Sequence, residues 1–216
     1  MTRTDEHLEA IQQIVAERFA TARGSHDWEH TRRVVRLART IGRSETADLT
    51  VVTAGALLHD IGRDSAAEGE ERACHAGRGA RLSQEILAPL PLAAEQKDNI
   101  IHCVAAHRFR RSPDPQTAEA RVVFDADKLD AIGAVGVARA YLFAGELGAC
   151  LHNPDIDVTR AAAYSVNDTG YREYLVKLRW IKDRLLTETG RTLARDRHRF
   201  MTDFFRRFLD EYEGKY

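Results

Sequence analysis

The chain of 216 residues predicts an all-α fold, built as a single helical bundle, and three observations carry that prediction. Apolar residues recur at three- and four-residue spacing almost throughout. Prolines and turn residues cluster between the periodic stretches. No segment shows a convincing alternation of apolar and polar residues, the pattern of a half-buried strand.

The elements follow in order. Leu8, Ile11, Val15 and Phe19 mark a first helix, and Val34, Leu37 and Ile41 a second. Asp48 is placed to cap a third, which runs through Val52 and Ala56 and stops near Gly62, so His59 and Asp60 fall at its C-terminal end. A polar, charged loop spans Arg63 to about Ala73. Helices are expected near His75 to Leu87, Ala93 to Arg108 and Glu119 to Leu147, separated by Pro89 and Pro91 and then by Ser112-Pro113-Asp114-Pro115. The run Arg121-Val122-Val123-Phe124 looks like a strand but reads as the buried start of the last of these. Residues Gly145 to Gly170 are irregular, a lid or a crossing loop. Two more helices follow from Tyr171, split near Gly190. One domain covers residues 1–216, with its site-bearing core at about 20–150 and C-terminal helices at about 170–214 packing on it.

With 32 Lys and Arg against 33 Asp and Glu, the chain has no global positive field to hold a nucleic-acid polymer. Cys74, Cys103 and Cys150 are odd in number and widely spaced, which argues against a disulfide framework or a zinc-thiolate cluster and for a reducing, cytoplasmic setting. The first residues resemble neither a signal peptide nor an anchor, and no stretch is apolar enough to span a membrane. The pattern of Phe200, Phe204, Phe205 and Phe208 suits a core or an interface, leaving monomer and homodimer both open. Alternating acids around Arg206 and Arg207 make a solvated helix face the reading there.

The polar residues on inward faces carry the chemistry. His30 precedes Val34, Leu37 and Ile41 by four, seven and eleven positions and so shares their buried stripe. His59 follows Val52 and Ala56 in the same way, with Asp60 beside it. Asp127 follows Val123 by four and precedes Ala131 and Ala134 on one face. A buried carboxylate is costly unless it is paired or bound to metal, so Asp60 and Asp127 call for a cation. Two imidazoles with two carboxylates suit one divalent ion such as Mn, Fe, Co, Ni or Zn, with Mg admitted, rather than calcium. A lone inward histidine is commonly a hydrogen-bonded core residue; the doublet, the upstream His and the downstream Asp together point to a metal site.

Three motifs bear a resemblance to a known family. Ser25-His26-Asp27-Trp28-Glu29-His30-Thr31-Arg32-Arg33-Val34, Leu57-Leu58-His59-Asp60-Ile61-Gly62-Arg63 and Asp125-Ala126-Asp127-Lys128-Leu129-Asp130-Ala131-Ile132-Gly133-Ala134 resemble the HD-domain phosphohydrolases, named for their His-Asp doublet. The resemblance implies His30, His59, Asp60 and Asp127 as metal ligands and hydrolysis of phosphoester or phosphoanhydride bonds by a metal-activated water. Tyr174-Leu175-Val176-Lys177-Leu178, Thr187-Glu188-Thr189-Gly190-Arg191 and Arg197-His198-Arg199-Phe200-Met201 resemble a branch of small stand-alone bacterial members. That branch is similar to nucleotide pyrophosphohydrolases, which cut a nucleoside triphosphate into monophosphate and pyrophosphate. Ser165-Val166-Asn167-Asp168-Thr169 departs from the aromatic-rich segment of that branch.

Around this centre Asp60, Lys128 and Asp130 are the catalytic candidates, Asp130 by orienting a ligand or the attacking water. Arg63 and Lys128 are placed to clamp phosphate, with solvated surface cations as the alternative. His26 contacts phosphate or fixes the loop ahead of His30. His107 shares a stripe with Ile100 and Val104, whereas His102 faces the other way. His107 and His75 stand where two-metal relatives carry extra histidines, so they are candidates for phosphate contact or for a second metal. Glu70 and Glu71 serve as acid or base or simply line a solvated loop. The expected ligand is a small nucleotide; the rival readings are a phosphomonoesterase or phosphodiesterase on nucleotides and a non-catalytic nucleotide-binding module.

Overall fold

The computed structural model describes residues 3–20, 27–63, 75–108, 113–157 and 159–215. Among them every regular element is helical: α1 (Arg3–Arg18), α2 (Trp28–Ser44), α3 (Leu49–Leu58), α4 (His75–Leu87), α5 (Ala94–Ala106), α6 (Ala118–Asp130), α7 (Gly133–Glu146), α8 (Gly170–Val176), a 3-10 helix (Leu178–Arg184) and α9 (Glu188–Tyr212). The all-α prediction holds. None of these helices is long and apolar enough to cross a membrane. The chain divides into two compact units, Met1–Asp127 and Lys128–Tyr216.

In the first unit α3 is the central rod. Every residue from Val51 to Leu58 is buried, which a helix apolar on all sides requires, and α1, α2 and α5 pack around it. Asp48 caps it as expected, its side chain accepting from the backbone N–H groups of Thr50 and Val51 at 2.8 and 3.3 Å. Gly55 permits the close packing: a Cβ there would lie 2.9 Å from the Cβ of Cys103 in α5 and 3.4 Å from a methyl of Val123 in α6. On α2 the buried stripe runs through His30, Val34, Ala38 and Ile41, and Leu37, assigned to that stripe above, sits at its half-buried edge instead. The strand-like run Arg121–Phe124 lies within α6, with Val122, Val123 and Phe124 buried.

The apolar pattern predicts one long helix from Glu119 to Leu147, and there are two. Helix α6 ends at Asp130, Ile132 is extended (φ −128°, ψ 164°), and Gly133 opens α7 at φ 82°, in the left-handed region that favours glycine. Ala131 and Ala134 therefore do not continue the face that carries Asp127. In the second unit Arg197 of α9 donates to the Leu129 carbonyl, one of the acceptors left over at the end of α6.

The expected split near Gly190 is also displaced. The 3-10 helix stops at Arg184, and Thr187 caps α9 by accepting from the Gly190 N–H at 2.9 Å, which places Gly190 inside the first turn of one helix. Phe205 is buried at the centre of this unit and stacks on Tyr174 with 4.4 Å between ring centroids, whereas Phe200 is 46% exposed. Arg206 and Arg207 are exposed and pair with Asp203 and Glu211 on their own helix, as a solvated face should.

The irregular segment before α8 is tied down by a buried ion pair. Arg172 donates to Asp168 and to the Ala161 carbonyl, both at 2.7 Å, while the second oxygen of Asp168 accepts from the Tyr164 N–H at 2.8 Å. Replacing Asp168 with alanine removes the carboxylate partner of an arginine side chain that is 9% exposed. It is expected to cost about 3 kcal/mol, read as a lower thermal or urea midpoint. A midpoint within error of the wild type would show that the pair does not hold the segment.

Candidate metal centre

Three helix termini of the first unit deliver the polar groups. Helix α2 begins at Trp28 because Asp27 accepts from the His30 N–H at 2.9 Å, and this cap sets the first turn from which His30 projects. His59 directly follows α3. Its Nδ1 lies 2.8 Å from the Ala56 carbonyl, an acceptor only, so Nδ1 carries the proton and Nε2 presents its lone pair inward. His107 repeats the device one residue past α5, with Nδ1 donating to the Val104 carbonyl at 2.7 Å.

These groups converge. The Nε2 atoms of His30 and His59 are 3.2 Å apart, and Asp127 Oδ1 lies 3.5 Å from the first and 3.9 Å from the second. Asp60 Oδ2 is 3.8 Å from His30 Nε2, 3.6 Å from His59 Nε2 and 2.7 Å from Arg63 Nε, while its Oδ1 is 3.4 Å from His107 Nε2. His30, His59 and Asp60 are each at most 3% exposed, and Asp127 at 14% is the most open of the four. Burial holds the His107 imidazole pKa below its usual value, against the opposing pull of Asp60, and so favours the neutral ring.

The donor set fits a divalent ion. Bonds of about 2.1 Å put adjacent ligands roughly 3.0 Å apart in an octahedron and 3.4 Å in a tetrahedron. The measured edges among His30, His59 and Asp127, from 3.2 to 3.9 Å, are close to both, and one donor atom from each of these residues falls within 4.8 Å of the others. Asp60 borders the same space while sharing its outer oxygen with Arg63.

A family model described as the HD domain matches residues 27–132, the stretch that carries all of these groups. Across 97% of this chain and 95% of its relative, the sequence is 34% identical to YpgQ of Bacillus subtilis. The chain belongs to the HD-domain family. Its doublet is His59-Asp60. Solved HD structures agree: Bacillus subtilis YpgQ in complex with ADP superposes with a TM-score of 0.74 at 31% identity, covering 97% of this chain and 96% of that one. An HD-superfamily hydrolase from Bacillus thuringiensis reaches 0.76 at 26% identity, covering 97% and 98%. Ribonuclease Y of Thermoanaerobacter pseudethanolicus is 31% identical over 58% of this chain, a match that covers 22% of that protein.

Of the residues singled out in the sequence, the HD fold brings together His30, His59, Asp60, Asp127, His107 and Arg63. His26, Glu70 and Glu71 lie outside the described residues, and so does the side chain of His75, although His75 opens α4 as expected. Lys128 and Asp130 belong to the second unit, where Asp130 is buried and accepts from Arg139 at 2.9 Å. His102 faces away from the centre and accepts from the Gln116 N–H at 2.9 Å. Three contributions went unread in the sequence: the Asp27 cap and the Ala56 and Val104 carbonyls. The first had a signal, an acid three residues before His30 at a helix start; the carbonyls had none, because backbone acceptors carry no residue type.

Proposed function

We propose that the chain is a metal-dependent phosphohydrolase that cleaves nucleoside triphosphates to monophosphate and pyrophosphate. The observation that carries this reading is the convergence of two buried imidazole nitrogens, 3.2 Å apart, on Asp127 and Asp60. A divalent ion would be held by His30, His59, Asp60 and Asp127, and it would supply Lewis acidity and an activated water suited to attack on phosphorus at neutral pH. The Ala56 carbonyl keeps His59 in the tautomer that ligation requires.

Arg63 acts from the rim, where its side chain is 34% exposed; its Nε pairs with Asp60, and a guanidinium is suited to phosphate oxygens. Lys128, the residue after Asp127, adds a second cation, and Asp130 steadies the turn that follows. His26 and His75 are proposed phosphate contacts. His107, with its neutral ring facing Asp60, is either a further phosphate contact or, with His75, a ligand for a second ion. Two similarities support a nucleotide substrate: the match to YpgQ, whose crystal structure contains ADP, and the likeness to the pyrophosphohydrolase branch.

The test is a panel of nucleoside triphosphates given to chelator-stripped protein with Mn, Mg, Co, Ni, Fe or Zn, scoring pyrophosphate and orthophosphate separately. Pyrophosphate release that Asp60→Ala removes is the expected result. If no metal supports turnover of any triphosphate, the substrate assignment fails. A second reading, phosphodiester cleavage, draws on the partial match to Ribonuclease Y, and a short RNA in the same panel separates the two.

A further inference from the structure

At the ends of α3, α5 and α6 remote from the doublet, a closed set of polar contacts joins the three helices. Glu119, in the first turn of α6, accepts from the Asp48 backbone N–H through Oε1 and from Asn99 Nδ2 of α5 through Oε2, each at 2.9 Å. Asp48, the cap of α3, accepts from Gln96 Nε2 of α5 at 2.8 Å. Thr117, which caps α6 by accepting from the Ala120 N–H, donates to Asn99 Oδ1 at 2.7 Å. Each pair among the three helices is thus linked directly. Burial pushes the Glu119 carboxyl up, but the hydrogen bonds from Asp48, Asn99 and its own backbone outweigh this and hold its pKa below the usual range, so it works as an ionised acceptor.

The same three helices carry groups of the metal centre further along. Asp127 comes eight residues after Glu119 on α6, His107 eight after Asn99 on α5, and His59 eleven after Asp48 on α3. At 1.5 Å per residue these are offsets of about 12 to 16 Å along each axis. Helices packed at their middles, where Gly55 meets Cys103 and Val123, can still slide or rotate against one another unless a second point sets their register. Directional hydrogen bonds supply that point better than apolar contact does.

We propose that Glu119, with Asn99 and Asp48, is a positioning residue for the metal centre, setting the register of α3, α5 and α6 so that His59, Asp60, His107 and Asp127 meet at ligating distance. The proposal rests on reading these residues as a metal site. In Glu119→Ala both acceptors are lost. In the paired variant Asn99→Asp with Glu119→Gln every link survives with charge and amide exchanged. The new amide at position 119 accepts from the Asp48 N–H and donates to the new carboxylate at position 99, which also accepts from Thr117.

The experiment measures Mn affinity of chelator-stripped protein well below its melting temperature, alongside melting curves and the imidazole NMR signals of His59 and His107 in the metal-free state. Glu119→Ala is expected to weaken Mn binding roughly tenfold, the lower end of the effect of outer partners of metal ligands, and to shift both imidazole signals. The paired variant is expected to bind Mn as the wild type does. A lower melting temperature with unchanged Mn affinity and unmoved imidazole signals would reduce the network to a stability element and overturn the proposal, as would equal weakening in both variants. If the wild type takes up no metal, the metal reading fails separately, and the imidazole signals alone decide the positioning claim.

Discussion

Asp60→Ala is expected to lower kcat/KM for metal-supported hydrolysis by at least about three decades. Lewis-acid stabilisation of a transition state is worth several kcal/mol, and each 1.36 kcal/mol is a factor of ten. Asp60 has a double part in this. Its Oδ2 lies within 3.8 Å of both imidazole nitrogens that face the site, and it also holds Arg63 at 2.7 Å, so the substitution removes a proposed ligand and one partner of the adjacent cation. A second readout does not need turnover. Metal present at 100 times its Kd stabilises the wild type by about 2.7 kcal/mol, and that thermal shift should vanish in the variant. A variant that keeps both its rate and its metal-induced shift would remove Asp60 from the centre.

Gly55→Val is expected to destabilise the fold and to weaken the centre with it. In an open helix, replacing glycine would help, by up to about 1 kcal/mol for alanine. Here the new Cβ would stand 2.9 Å from the Cβ of Cys103, closer than carbon atoms approach, and valine adds two methyl groups beyond it. Helix α3 must then move away from α5 or α6. Overpacking of this kind costs about 3 kcal/mol, which for a chain of this size lowers the melting temperature by roughly 6 to 12 °C. Because His59 and Asp60 immediately follow α3, metal affinity should fall with it. A valine variant that melts with the wild type and binds metal equally well would show that the α3 contacts are looser than these distances state.

The sequence was most informative where burial follows a local period. His30 was legible as an inward residue because it extends an apolar stripe on its own helix, whereas His59 is inward because α3 is buried on every side, and Asp48 was legible as a cap because capping is settled within three residues. His107 was separated from His102 by the same rule, and the two do face different ways. Period failed at the helix ends. A continuous apolar pattern from Glu119 to Leu147 contains the break at Ala131–Ile132, because a reversal held by a left-handed glycine and by Arg197 on the Leu129 carbonyl does not disturb the spacing of apolar residues.

By itself the sequence determined the fold class, the inward faces and the residue types that make a metal site chemically reasonable, since each of these depends on neighbours within a few turns of one helix. Only the tertiary structure decided the pairings: Arg63 and His107 on opposite oxygens of Asp60, Asp130 with Arg139, and Glu119 joining α3 to α5. Such partners lie anywhere from three to seventy-one positions apart along the chain, as Asp60 with Arg63 and Asp48 with Glu119 show. Apart from the three-residue step from Asp60 to Arg63, their meeting is fixed by how whole helices pack, and no local spacing of residues encodes it.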